Sequence, residues 1–170
     1  AYAASLRSSN NRSSVSEQVE NLPTGPSEGF EITWHCFEDQ QFTETRIRKV
    51  SASGEWKLTW YDAKGSLIGE MYGRYLPNTW RAYQDPSFYR NGSDGRGNPQ
   101  LFREEDSTRL ARLPALRTQP LYVLKDDLGI LAWYSTKTGP VALREEWGTT
   151  GYLIEPISIV FRDISEKELE

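Results

Sequence analysis

Within residues 55–76, "EWKLTWYDAKGSLIGEMYGRYL", the first strand candidate alternates apolar and polar positions. Trp56, Leu58 and Trp60 fall on one side, and Glu55, Lys57, Thr59 and Tyr61 on the other. Period 2 predicts a half-buried strand. Asp62-Ala63-Lys64-Gly65 then reads as a loop, with Gly65 free to take positive φ. Closing it between Tyr61 and Ser66 sets Trp60 opposite Leu67, Leu58 opposite Gly69 and Trp56 opposite Met71, with Lys57 opposite Glu70 on the far side. Slipping by one residue would oppose apolar and polar sets. The pattern therefore predicts a hairpin with Trp56, Leu58, Trp60 and Met71 buried together.

The same period recurs. "FEITWHCFE", 30–38, puts Phe30, Ile32, Trp34 and Cys36 on one face. "FTETRIRKV", 42–50, is polar on both sides and predicts an edge or solvent-facing strand. "LFREEDSTRLARL", 101–113, fits a short strand or one or two helical turns. "PLYVLKDD", "ILAWYST", "VALREEW" and "YLIEPISIVFRD" read as strands separated by the Gly-bearing turns "DDLG", "KTGP" and "GTTG". About eight strands, mostly joined by hairpins, predict an all-β fold: an antiparallel up-and-down barrel, with an immunoglobulin-like sandwich as the alternative. The expected organisation is a flexible N-terminal tail over 1–29, of which 1–22 are dispensable for folding, and a single β-barrel domain over 30–165.

Composition narrows the classes. One domain is expected from 170 residues, and a net charge of -4 argues against a nucleic-acid binder driven by phosphate contacts. One Cys and one His exclude an internal disulfide and His- or Cys-rich metal sites. No apolar run approaches a membrane span. The first sixteen residues are Ser- and Arg-rich with no acid before Glu17, the composition of an organelle transit peptide; a polar tail with no address is the other reading.

No Walker loop, dinucleotide fingerprint, serine elbow or metal signature occurs, so no catalytic residue is assigned and a non-enzymatic protein is expected. His35 and Cys36 are adjacent and would point to opposite faces, giving a buried inert thiol and a solvated imidazole. Closing "GTTG" between Trp147 and Tyr152 places Arg144 opposite Glu155, with Glu146 on the same face. Turned inward, Arg144, Glu146 and Glu155 would bind a polar ligand group; turned outward, they form an ordinary ion pair. The long segment 77–99 carries Trp80, Arg81, Tyr83, Phe88, Tyr89 and Arg90, rings beside guanidinium groups as in protein-interface anchors, or else a lid over the barrel mouth.

Gly54-x-Trp56 resembles the G-x-W motif of lipocalins and related calycin barrels, and Arg162 is placed like the lipocalin Arg that packs over that Trp. The resemblance spans 30–163, although two strand candidates precede Gly54, where lipocalins carry the motif on the first strand. It implies a lipocalin-like barrel without a cofactor or with a bilin or other apolar ligand. With the transit-like tail, it points to plastid and cyanobacterial relatives: assembly factors of photosynthetic or ATP synthase complexes, and phycobiliprotein lyases, for which chromophore attachment would be the activity. The expectation is a soluble or peripheral chloroplast accessory factor acting on a protein partner in an organelle complex, with a chromophore-binding barrel and an extrinsic subunit as alternatives.

Overall fold

The structure is a computed structural model that describes residues 28–75, 100–111, 121–125, 129–135, 137–139, 141–148 and 150–170. The expected tail over 1–29 lies outside them up to residue 27, and so do Trp80, Arg81, Tyr83, Phe88, Tyr89 and Arg90.

Among the described residues nine strands form one antiparallel sheet: β1 (Phe30–Glu38), β2 (Gln41–Val50), β3 (Glu55–Asp62), β4 (Leu67–Arg74), β5 (Gln100–Arg103), β6 (Leu121–Lys125), β7 (Ile130–Ser135), β8 (Arg144–Trp147) and β9 (Tyr152–Phe161). A short helix, α1 (Ser107–Leu110), follows β5, so the ambiguous 101–113 stretch holds both a strand and a helical turn. A 3₁₀ turn (Glu166–Leu169) lies near the C-terminus. The sheet order is β4-β3-β2-β1-β9-β8-β7-β6-β5. Two up-and-down meanders are thus stitched together by β1 against β9. Among the described residues β4 and β5 each pair on one side only, so this lipocalin-like plan is laid open rather than closed. One sheet also disposes of the sandwich alternative.

One continuous core draws on both meanders, with Phe30, Ile32, Trp34, Val50 and Leu58 from one and Leu121, Val123, Trp133 and Ile154 from the other. In β1 the burial alternates as its sequence period requires. β6 and β7 are buried on nearly every residue, which no alternation could have announced.

Two expectations fail at β2 and β4. β2 is no edge strand: it pairs with β1 on one side and β3 on the other. Its arginines survive in the interior of the sheet because Glu44 of β2 itself, Tyr152 of β9 and Tyr75 accept their hydrogen bonds. The β3–β4 hairpin forms, but with a shifted register. Asp62, not Tyr61, closes the turn: its N–H donates to the Ser66 carbonyl at 2.9 Å, and its carboxylate accepts from the N–H groups of Lys64 and Ser66. Gly65 takes φ +87°, giving the three-residue turn with a left-handed third position. A bulge after Trp60 adds a further step, so Leu58 faces Met71, Trp60 faces Gly69 and Trp56 faces Gly73. The net slip is two residues, which preserves the faces. Leu58 is buried, yet Trp56 and Trp60 are only half-buried and Met71 is 51% exposed, because β4 is the sheet edge.

Candidate functional site

The strands that follow Phe30, Ile32, Trp34 and Cys36 across the sheet carry an unusual set on the same face. Cross-strand partners share a face. Trp34 pairs with Arg46 and Ile32 with Arg48; Arg46 pairs onward with Trp60 and Arg48 with Leu58. This face of β2–β3 therefore alternates cations with aromatic rings. The glycines opposite Trp56 and Trp60 explain how the rings lie. A Cβ at Gly73 would sit 2.5 Å from Trp56 Cζ2, and one at Gly69 would sit 2.6 Å from Trp60 Cζ2. Each indole rests on bare backbone of β4, and only glycine leaves room for it.

The two arginines are held differently. Arg46 donates from Nε to Glu44 Oε1 at 2.6 Å and from Nη2 to the Tyr152 hydroxyl at 3.0 Å. Arg48 stacks its guanidinium 4.7 Å from the Trp56 ring and 6.0 Å from the Trp34 ring, and Nη1 donates to the Tyr75 hydroxyl. Tyr75 also packs against Trp56, with ring centroids 6.0 Å apart. Arg48 Nε is buried with no hydrogen-bond partner, and no carboxylate pairs with Arg48 among the described residues. Cation–π contact compensates a desolvated guanidinium in part, but it supplies no acceptor for Nε–H.

Cys36 is fully buried on this face, and burial pushes its thiol up to about 11 against the opposing pull of Arg46. Burial likewise raises the Tyr152 hydroxyl to about 12, again opposed by Arg46. At neutral pH both stay protonated, so Cys36 presents no thiolate for nucleophilic chemistry. His35 points to the opposite face, as strand alternation demands. Its imidazole is half-exposed and packs 4.8 Å from Phe42 and 6.4 Å from Phe37.

Arg144, Glu146 and Glu155 do meet. The hairpin closes with Trp147 against Tyr152 and Glu145 against Ile154, the register that sets Arg144 beside Glu155. Arg144 donates from Nε and Nη2 to Glu146 Oε1 at 3.2 and 2.9 Å, and from Nη1 to Glu155 Oε1 at 3.4 Å. Arg144 is buried over Trp133, while the Glu146 and Glu155 side chains are 26% and 43% exposed. The fork is thus occupied by the cluster's own carboxylates. Among the described residues no three or more His, Cys, Asp or Glu are grouped to hold a metal ion.

The Trp–Arg contact that the lipocalin resemblance implied exists with a different arginine. Phe161 faces Phe30, so Arg162, the next residue, turns to the other side of the sheet. There its Nη2 donates to Glu31 at 2.7 Å and to Glu168 at 2.7 Å. Arg48 is the residue that covers Trp56. The polar pattern of β2 predicts a solvent-facing strand and so does not point to Arg48; the apolar partners on both flanking strands are the available signal.

No family model and no curated protein matches this chain. Solved structures with which it aligns include MucB, at 12% identity and a TM-score of 0.43 over 95% of this chain and 62% of that one. A Bacteroides fragilis protein with a YmcC-like fold aligns at 12% identity and a TM-score of 0.35, over 82% of this chain and 99% of the other. A LolA superfamily protein from Nitrosomonas europaea gives 11% identity and 0.31, over 93% and 96%. The chain spans less than two thirds of MucB's length. No helix among the described residues is long and apolar enough to cross a membrane.

Proposed function

We propose that this chain is a non-enzymatic, lipocalin-like binding or accessory protein, and that the aromatic and arginine-bearing face of β2–β3 is its working surface. The observation that carries the reading is the pair of half-buried indoles, Trp56 and Trp60, laid flat on Gly73 and Gly69 beside Arg46 and Arg48. A core does not require two arginines among its tryptophans, whereas a recognition surface uses both residue types. The absence of a catalytic motif in the sequence supports a binding role.

At the finer level, we place the protein with an organelle complex, a plastid photosynthetic or ATP synthase assembly, as an assembly factor or extrinsic subunit. The acid-poor, Ser- and Arg-rich residues 1–16 and the rings and arginines of 77–99 support this. A second reading is a carrier of a bilin or other apolar ligand, in the manner of a phycobiliprotein lyase. It is favoured by Arg48, which has no acidic partner of its own among the described residues. Arg144, Glu146 and Glu155 are the second candidate site for a polar ligand group.

Affinity capture from plastid extract tests the first reading, with the wild type and Trp60→Ala run in parallel and the purified protein scanned for absorption. A partner recovered by the wild type and lost by the variant supports it. Equal recovery by both would remove the β2–β3 face from the binding surface. A bound visible chromophore would favour the carrier reading.

A further inference from the structure

The two indoles of this face differ on the side turned away from β4. Trp56 is covered by the Arg48 guanidinium at 4.7 Å and flanked by Tyr75. Trp60 has no ring or cation stacked on it among the described residues; its strand neighbour Arg46 is turned to Glu44 and Tyr152. Arg46 is therefore neutralised, and Arg48 is not. Arg48 Nη1 is committed to a neutral hydroxyl, and Nε–H is buried with no acceptor. A buried donor left unpaired is a standing cost, removed when an acceptor arrives. Arg48 pairs with Leu58, two residues before Trp60, while its guanidinium leans onto Trp56, four residues before Trp60, so the cation and the Trp60 indole are about 7–13 Å apart along the strand.

We infer that the face takes a small amphipathic anion, with a carboxylate or sulfonate on Arg48 and a flat apolar body on Trp60. A small ligand fits better than an acidic protein segment, because the unpaired Nε lies below the surface, between Trp34 and Trp56, where a backbone could not follow its side chain. The ligand's charge would replace the missing counter-ion of Arg48. Its planar body would stack on Trp60, a half-buried indole on which no ring or cation of the described residues lies. This rests on the face being a binding surface, and the test separates the two claims.

The full chain is titrated with the anionic probe 8-anilinonaphthalene-1-sulfonate and with its neutral counterpart N-phenyl-1-naphthylamine, each followed by energy transfer from tryptophan. Saturable one-to-one binding, with the anion favoured by about tenfold, is expected; that is the worth of one charge-assisted hydrogen bond. Arg48→Gln should equalise the two probes, and Arg48→Lys, which keeps the charge, should retain part of the preference. Trp60→Ala should weaken both. Melting curves show which variants are folded; if Arg48→Gln is not, Arg48→Lys and the wild-type probe ratio still decide. Equal affinity of the wild type for both probes, or an anion preference unchanged in folded Arg48→Gln, would overturn the role of Arg48 while leaving the face intact. Failure of both probes to bind would overturn the face itself.

Discussion

At the scale of single residues, packing on the β2–β3 face turns on what glycine and leucine leave or fill. Leu58 is 8% exposed and is the one residue of its hairpin that joins the buried core outright. Leu58→Ala should cost about 2–5 kcal/mol, read from denaturant unfolding at unchanged m-value. Gly73→Ala puts a methyl 2.5 Å from an indole that Arg48 holds from its other side. The ring has to shift, at about 1–3 kcal/mol, with a change in tryptophan emission that Gly65→Ala would not produce. Cys36 supplies a chemical check. With its thiol near 11 and no exposed surface, it should react with iodoacetamide at pH 8 only at the rate of unfolding; rapid labelling of the native protein would refute the burial.

At the scale of elements, the C-terminal turn is clamped to the outer side of the sheet by charge. Ser165 caps it and Glu168 returns a bond to the Ser165 N–H, a complete capping box. Glu168 pairs with Arg162 and lies 3.7 Å from Lys49, and Lys57 Nζ donates to the Glu170 carbonyl at 2.7 Å. Hydrogen bonds from Arg162 and from the Ser165 backbone hold the Glu168 carboxyl down at about 2. A carboxylate depressed in the folded state contributes stability above its unfolded value of 4.5, and that contribution is lost as pH falls toward 2. The protection factors of amides in 166–169, that is, exchange corrected for its intrinsic slowing in acid, should therefore fall as pH is lowered from 5 to 2. Arg162→Gln should move the Glu168 titration midpoint, followed by carbon NMR, up toward the ordinary range. The clamp is exposed, so its effect belongs to the last turn and not to the sheet.

At the scale of the whole molecule, the pairing of β1 with β9 makes one cooperative unit of two meanders that are remote in sequence. The core that Phe30, Val50 and Leu58 share with Leu121, Val123 and Trp133 cannot form from either half. Unfolding followed by tryptophan fluorescence and by far-UV circular dichroism should coincide, and a fragment ending at residue 75 should be unfolded in isolation. Two separated transitions would show that the meanders fold as independent parts.

What the sequence determined by itself is local. Period 2 placed the strands, Gly65 and the "GTTG" turn placed two hairpins, and the register at Trp147–Tyr152 brought Arg144 to Glu146 and Glu155 as read. These follow from sterics within a few residues, and each leaves its mark in composition. The tertiary structure decided the rest. Turn closure at Asp62 and a bulge after Trp60 together moved the other hairpin by two residues, and β6 and β7, legible as strands, are buried on both faces, which no alternation signals. The place of β2 in the interior of the sheet, paired on both sides, was equally invisible. Strand order depends on which distant strands bury the most apolar surface together, and a polar strand such as β2 becomes central when tryptophans on both sides can shelter its arginines. That placement, and not any motif, is what set Arg48 on Trp56 without an acid to neutralise it.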